Sequence, residues 1–418
     1  MQSDISPTMD RAACAALDAA DPLARFRADF LLPGDPIYLD GNSLGAMPKA
    51  AAARLRQVSE QEWATGLVKS WNSAGWFDLP TCLGNKLAPL IGAGAGEVIV
   101  CDSASVNLFK LICTAIVMRP DRRVIILEGS NFPTNNYIAQ GVAAQTGGRV
   151  QVRFLEKDEI AAGIDADTAA VCVTHVHYKT GHLHDMAAIT ARAHEMGALA
   201  IWDVCHSAGA LPVDLNGCDA DFAVGCTYKY LNGGPGAPGF LFAAKRNHGG
   251  AHNPISGWWG HAAPFAFDRD YAAATDIRQF LTGTPPIISM ALVECGLDVH
   301  LSADMAHIRA KSMALGALLV DLVERRCAEH GLTLASPREP DARGSQLSFA
   351  HPHAYAITQA LIHYGVVGDF RAPDVIRFGF APLYVRHVDI WDAVTCLARI
   401  MDEGLWQDPA FSARQAVT

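Results

Sequence analysis

Between residues 97 and 245, short uninterrupted apolar runs alternate with longer segments in which polar positions recur at helical spacing. The runs are EVIVCD (97–102), RRVIILEG (122–129), AAVCVTHV (169–176), ALAIWDV (198–204), ADFAVGCTY (220–228) and FLFAAK (240–245). Several are continuously apolar rather than alternating, as strands covered by helices on both faces must be. NLFKLICTAIVM (107–118) and AAITARAHEM (187–196) read as helices between them. Strand and helix in alternation predict βαβ units and a mainly parallel sheet, an α/β fold.

After about residue 300 the pattern changes to one long predicted helix, 303–331, followed by a short α+β tail ending near 405. The expected division is a large domain over 46–295 and a small one from 296–418, with residues 1–45 packed on it. Half of the 418 residues are hydrophobic and 18% are charged, so the chain can bury a sizeable core. Thirty-three basic against 43 acidic residues give a net charge of -10, and no basic block with interleaved aromatics occurs, which argues against nucleic acid. No uncharged apolar run reaches membrane-spanning length, and Asp4, Asp10, Arg11 and Asp18 break the N-terminal stretch that a signal peptide needs. Eleven cysteines without a CxxC pair read as free thiols in a reducing cytoplasm.

Candidate chemistry gathers at the ends of the apolar runs. Asp203 ends ALAIWDV, and in open α/β sheets ligands collect at the carboxyl ends of strands. By itself it reads better as a cap for the following HSAGA. Twenty-six residues later Lys229 follows FAVGCTY and precedes YLNGGPGAPG, a loop whose glycines and prolines let a ligand approach a desolvated amine. Alone it also reads as a surface lysine. Together the two supply what a pyridoxal-phosphate site needs: a carboxylate to keep the pyridine nitrogen protonated and an amine to form the imine. Ser103 and Ser105 stand directly ahead of a predicted helix, where hydroxyls and free N–H groups bind anions or simply cap the helix. Phe132, after RRVIILEG, is a candidate ring to cover the pyridine, or plain core. His175, His177, His182 and His184 form two HxH pairs, a possible zinc set for which no completing shell is evident, so no metal is expected.

Read together, YLDGNSLGAMP (38–48), SWNSAGW (70–76), SASVNLFK (103–110), NFPTNNY (131–137), THVHYKTGHLHDM (174–186), WDVCHSAGALPVDL (202–215), DFAVGCTYKYLNGGPG (221–236), ISGWWGH (255–261), GTPPI (283–287), RGSQLSF (343–349) and GVVGDFRAPDVIRFGFAPLY (365–384) resemble, in order and spacing, the kynureninases. That resemblance implies the fold-type-I pyridoxal-phosphate architecture: a seven-stranded, mainly parallel sheet with helices on both faces plus a small C-terminal α+β domain. It implies hydrolysis of L-kynurenine to anthranilate and L-alanine in tryptophan degradation, and a homodimer with shared sites. Lys229 is then the internal aldimine and Asp203 the partner of the pyridine nitrogen. Phe132 stacks on the ring, His206 and Thr174 lie near its substituents, and Ala104, Ser105 and Tyr228 contact the phosphate. Trp258 and Thr284 reach the phosphate from the second subunit, Arg377 clamps the substrate carboxylate, and Asn42, Trp71 and Gly283 contact substrate. Tyr228 is the candidate for proton delivery. Asn135 departs from the family, which often has Asp there, and Ala104 offers only its backbone. Gly283, Thr284 and Trp71 resemble members that favour kynurenine over its 3-hydroxy derivative. Tyr228 before the lysine, where cysteine desulfurases commonly have His, separates this chain from that related class.

Overall fold

The computed structural model describes residues 9–34 and 36–414. Each of the six apolar runs forms a strand, and a seventh joins them: β1 Val98–Val100, β2 Val124–Glu128, β3 Gln151–Leu155, β4 Thr168–Thr174, β5 Leu199–Asp203, β6 Phe222–Cys226 and β7 Gly239–Ala243. The unforeseen strand is β3. It lies at the sheet edge and its residues are exposed or half-buried, so it lacks the continuous apolar run that marks the others.

The sheet order is β1-β7-β6-β5-β4-β2-β3. Strands β3, β2, β4, β5 and β6 pair in parallel, whereas β7 runs antiparallel to both of its neighbours. Side chains alternate between two cores, because successive residues of a strand point to opposite faces. Val98, Val100, Ile126, Val171 and Trp202 join one core, together with Leu83, Leu87, Met290 and Leu297. Ile99, Ile125, Leu127, Ile201 and Val224 join the other, with Leu108, Leu111 and Ile112. Each such side chain contributes roughly 1.5–3 kcal/mol by leaving water.

The covering helices include α1 Ala104–Met118, α2 Pro133–Gln145, α3 Met186–Glu195 and α4 Ile287–Leu301. The 295/296 division expected from sequence falls inside α4. Met290, Val293 and Leu297 of that helix pack in the large-sheet core, and Val299 packs on the small one.

Beyond it, α5 Met305–Arg326 ends earlier than its apolar pattern predicts. A short turn follows, and Gly331 takes a positive φ of 71° that a helix cannot continue through. A four-stranded antiparallel sheet comes next: β8 Thr333–Leu334, β9 Gln346–Ala350, β10 Asp369–Arg371 and β11 Val375–Gly379, in the order β8-β9-β11-β10. Helix α6, His387–Asp402, packs against α5.

The segment before residue 46 lies on this unit. Leu23, Phe26, Phe30 and Leu39 enter its core, and Ile37–Tyr38 pairs in parallel with Val366–Val367. Asp18 accepts hydrogen bonds from the backbone N–H groups of His387 and Val388 at 2.7 and 3.0 Å, so the N-terminal helix Arg11–Ala19 caps the start of α6.

Candidate functional site

Three parallel strands, β4, β5 and β6, end along one edge of the large sheet, and the chain beyond them forms the floor of a cavity of about 220 Å³. Its wall brings together ten of the residues singled out in the sequence: Ser103, Ala104, Ser105, Phe132, Asn135, Thr174, Asp203, His206, Tyr228 and Lys229.

Asp203, the last residue of β5, is buried at 7% exposure. Its Oδ1 accepts from the Cys205 N–H at 2.9 Å and its Oδ2 from Asn135 Nδ2 at 2.7 Å. That contact accounts for an amide at position 135, since a carboxylate there would face another at the same distance. Thr174, beside Asp203 on β4, donates its hydroxyl to the Val176 carbonyl at 3.0 Å.

Opposite stands the start of α1. Ser103 caps it by accepting from the Val106 N–H, while Ser105 Oγ and Thr134 Oγ1 lie 2.8 Å apart. The first N–H groups of this helix have no intrahelical partner, so hydroxyls and dipole together favour an anion. Gly239, at the start of β7, lets the backbones close up here. A Cβ on it would stand 2.9 Å from the Ala104 nitrogen. Phe132 keeps 42% of its surface exposed, and its ring centroid lies 5.9 Å from Lys229 Nζ.

Lys229 is half-buried, and its Nζ lies 2.8 Å from His206 Nε2. Burial, the Lys229 charge and the Arg377 charge hold the His206 imidazole well below its ordinary pKa, so the ring is neutral. The Cys226 sulfur beside it, and then burial, push Tyr228 up, so its phenol stays protonated.

Arg377 and Asn42 stand behind His206. Gln346 Oε1 meets His206 Nδ1 at 3.0 Å and lies 3.3 Å from the Asn42 amide. The orientation of that amide which pairs donors with acceptors turns its oxygen to Arg377 Nε at 2.9 Å and its nitrogen to Asp40 at 3.3 Å. Arg377, 1% exposed on β11, forks onto Asp369, with Nε 2.8 Å from Oδ1. It also bonds Ser43 and the Tyr178 carbonyl. Burial and then the neighbouring Asp369 push Asp40 up to about 7. Burial works to raise Asp369 as well, but Arg377 and Arg371 hold it below the usual carboxylate range.

Gln346, Asp369, Thr134 and Tyr178 were not singled out in the sequence. Gln346 lies in the quoted RGSQLSF, but it opens a strand, QLSFA, whose mixed polar and apolar letters do not set it apart.

Four further candidates lie away from this cavity within the chain. Trp258 is 41% exposed and stands edge-on to Trp259 and Phe265. Trp71 packs between Trp76 and Trp259, while Gly283 and Thr284 are exposed. One histidine of each pair, His177 and His184, faces Glu128, with Nε2 3.7 and 2.9 Å from its carboxylate oxygens. His177 is also held by the Ser130 carbonyl and by the N–H groups of Lys179 and Thr180. Among the described residues no group of three or more His, Cys, Asp or Glu is gathered that could hold a metal ion.

Two kinds of likeness bear on this site. Solved structures similar to the chain include the apo cysteine desulfurase of Thermococcus onnurineus NA1, with a TM-score of 0.77 at 17% identity over 91% of this chain and 98% of that one. The cysteine desulfurase CsdA of Escherichia coli gives 0.74 at 20% identity over 92% and 98%. These share the fold. The family profile described as the kynureninase C-terminal domain matches residues 308–397. A kynureninase of Burkholderia pseudomallei (strain 1106a) is 54% identical over 96% of this chain and 98% of its own length, and one of Pseudomonas fluorescens is 53% identical over 97% and 99%. With that identity sustained over nearly the whole of both chains, the protein belongs to the kynureninase family.

Proposed function

We propose that the protein hydrolyses L-kynurenine to anthranilate and L-alanine, with pyridoxal 5′-phosphate as cofactor. The observation that carries this reading is the single cavity in which an amine, a buried carboxylate, an aromatic ring and a hydroxyl-lined helix start stand around one ring-sized space. The cofactor supplies an electron sink for charge developing beside its imine carbon.

The residues present fit that group. Lys229 holds it covalently, Asp203 accepts the pyridine N–H, and Phe132 covers the ring. Ser105, Thr134 and the first N–H groups of α1 take the phosphate. Asn135 keeps Asp203 oriented without adding a second charge. Tyr228, a phenol kept protonated, holds the proton to be delivered during the reaction. Arg377, whose planar fork grips Asp369 in this structure, is the group suited to take the substrate α-carboxylate by exchanging that partner, with Asn42 and Ser43 setting its plane.

Trp258 and Thr284 belong to the site of a second subunit. An exposed apolar ridge supports this, since Trp258, Phe265 and Phe267 touch in sequence and the last two are 60% and 78% exposed. Kynurenine is preferred over its 3-hydroxy derivative. Gly283 offers no side-chain partner to a ring hydroxyl and Trp71 none beyond its indole N–H, and an unpartnered hydroxyl costs roughly 1–3 kcal/mol on burial. The enzyme works in tryptophan degradation in the cytoplasm, a compartment in which its eleven free cysteines stay reduced.

The test is reconstitution with the cofactor, borohydride reduction and peptide mapping, followed by kinetics on both substrates. The pyridoxyl label is expected on Lys229 and the higher kcat/KM with kynurenine. A label on another lysine, or anthranilate failing to appear, would overturn the assignment.

A further inference from the structure

Gln346 begins β9 in the small domain and is fully buried, yet it reaches the heart of the site on the large one. Its amide nitrogen donates to two backbone carbonyls, His177 at 3.1 Å and Tyr178 at 2.7 Å. Turning the amide over would set its oxygen against both carbonyls and leave buried groups unpaired, so the orientation is locked. The oxygen therefore faces His206 Nδ1, at 3.0 Å.

Only an N–H can satisfy that oxygen. A neutral imidazole carries one N–H, so placing it on Nδ1 leaves a bare lone pair on Nε2, the atom 2.8 Å from Lys229 Nζ. We propose that Gln346 is a positioning residue that fixes His206 in the Nδ1–H tautomer, so that a ring lone pair and not a ring N–H faces the Lys229 amine.

The distinction matters to the amine. With Nε2 bare, His206 accepts one N–H of Lys229 and leaves the nitrogen lone pair of the uncharged amine free toward the cavity. With the proton on Nε2, the ring would donate into that lone pair and mask the electrons needed to attack a carbonyl carbon. The arginines acting on the ring, Arg377 and Arg371, are cationic and keep it from taking a second proton. Gln346 thus makes the chemical state of a large-domain residue depend on the docking of the small domain.

The inference rests on the reading of Lys229 as the cofactor-binding amine, and two measurements separate them. In the cofactor-free protein labelled with 15N-histidine, the His206 signal, assigned by its loss in His206→Gln, is expected to show a protonated Nδ1 and a bare Nε2. The same pattern is expected in Lys229→Ala, because Gln346 sets it. In Gln346→Met the proton should redistribute toward Nε2. The rate at which added pyridoxal 5′-phosphate is taken up, followed by its visible absorbance, should fall about five- to ten-fold, the ratio that one hydrogen bond sustains. A proton on Nε2 in the unmodified protein would overturn the proposal whether or not the Met variant folds. So would an unchanged tautomer and uptake rate in Gln346→Met. Formation of the imine band by Lys229→Ala would overturn the Lys229 reading and leave the tautomer result standing.

Discussion

At the scale of single residues, the contact of Asn135 with Asp203 sets a charge count. Replacing Asn135 by Asp puts two carboxylates at about the distance of the present hydrogen bond, where both cannot ionise, and the pair must share a proton. A carboxyl with a raised folded-state pKa contributes stability that is lost as pH rises through that value. Asn135→Asp in the cofactor-free protein should therefore come nearest the parent at about pH 4 and fall behind by at least about 1–2 kcal/mol at pH 8. Thermal melts at the two pH values measure it, and parallel curves would show that the pair is better solvated than its burial implies. Asp203→Asn keeps a hydrogen-bonding group but loses the charge. Turnover should fall on the order of a hundred-fold, typical for removing one electrostatic partner of a reacting group. Cofactor occupancy, read from the visible band, should fall far less.

At the scale of elements, Lys110 on α1 is a tether. It is fully buried, and its Nζ lies 2.5 Å from Asp102 and 2.6 Å from the Phe280 carbonyl, so α1 is bound to the 277–280 turn. Lys110→Met fills the same space but leaves that carbonyl unpaired and the partly exposed Asp102 with only the Thr282 hydroxyl, 3.4 Å away. A loss of about 2–3 kcal/mol in urea unfolding is expected, with weaker cofactor retention; a loss below half of that would mean water replaces the amine. In the sequence Lys110 is one polar letter within NLFKLICTAIVM and nothing marks it, because the Phe280 carbonyl arrives from far along the chain. The same limit explains Gln346, whose partners His177, Tyr178 and His206 come from far along the chain, and Asp369, which is tied to Ser43. Asp203 and Lys229 were legible because each ends an apolar run, and a strand end on a parallel sheet has a defined address. The six buried strands were legible for the same reason, whereas β3 was hidden by its half-polar edge.

At the scale of the whole molecule, the ridge of Trp258, Phe265 and Phe267 predicts association. Phe267→Asp places a charge on the most exposed of these rings, and sedimentation should shift it toward monomer with activity falling in parallel. A fully active monomer would remove the argument for a shared site. Acidification offers a second test. Burial, then His184 and Arg309, hold His175 down to about 4, below its ordinary 6.5. Between those values the unfolded chain binds a proton that the folded one refuses, so stability falls as pH drops, by about 1.4 kcal/mol per unit for this residue. Melting curves from pH 6.5 to 4.5 should show the decline, and His175→Phe should flatten it. The strand order also bears on synthesis. Val100 pairs with Phe240, so β1, the first strand of the sheet to be made, waits unpaired until the last has emerged. The start of α1, proposed above to take the phosphate, is closed by Gly239 on that same last strand. A nascent chain therefore cannot assemble its phosphate cradle piecemeal: fragments ending before residue 239 should fail to bind cofactor, and competence should appear abruptly once β7 has left the ribosome.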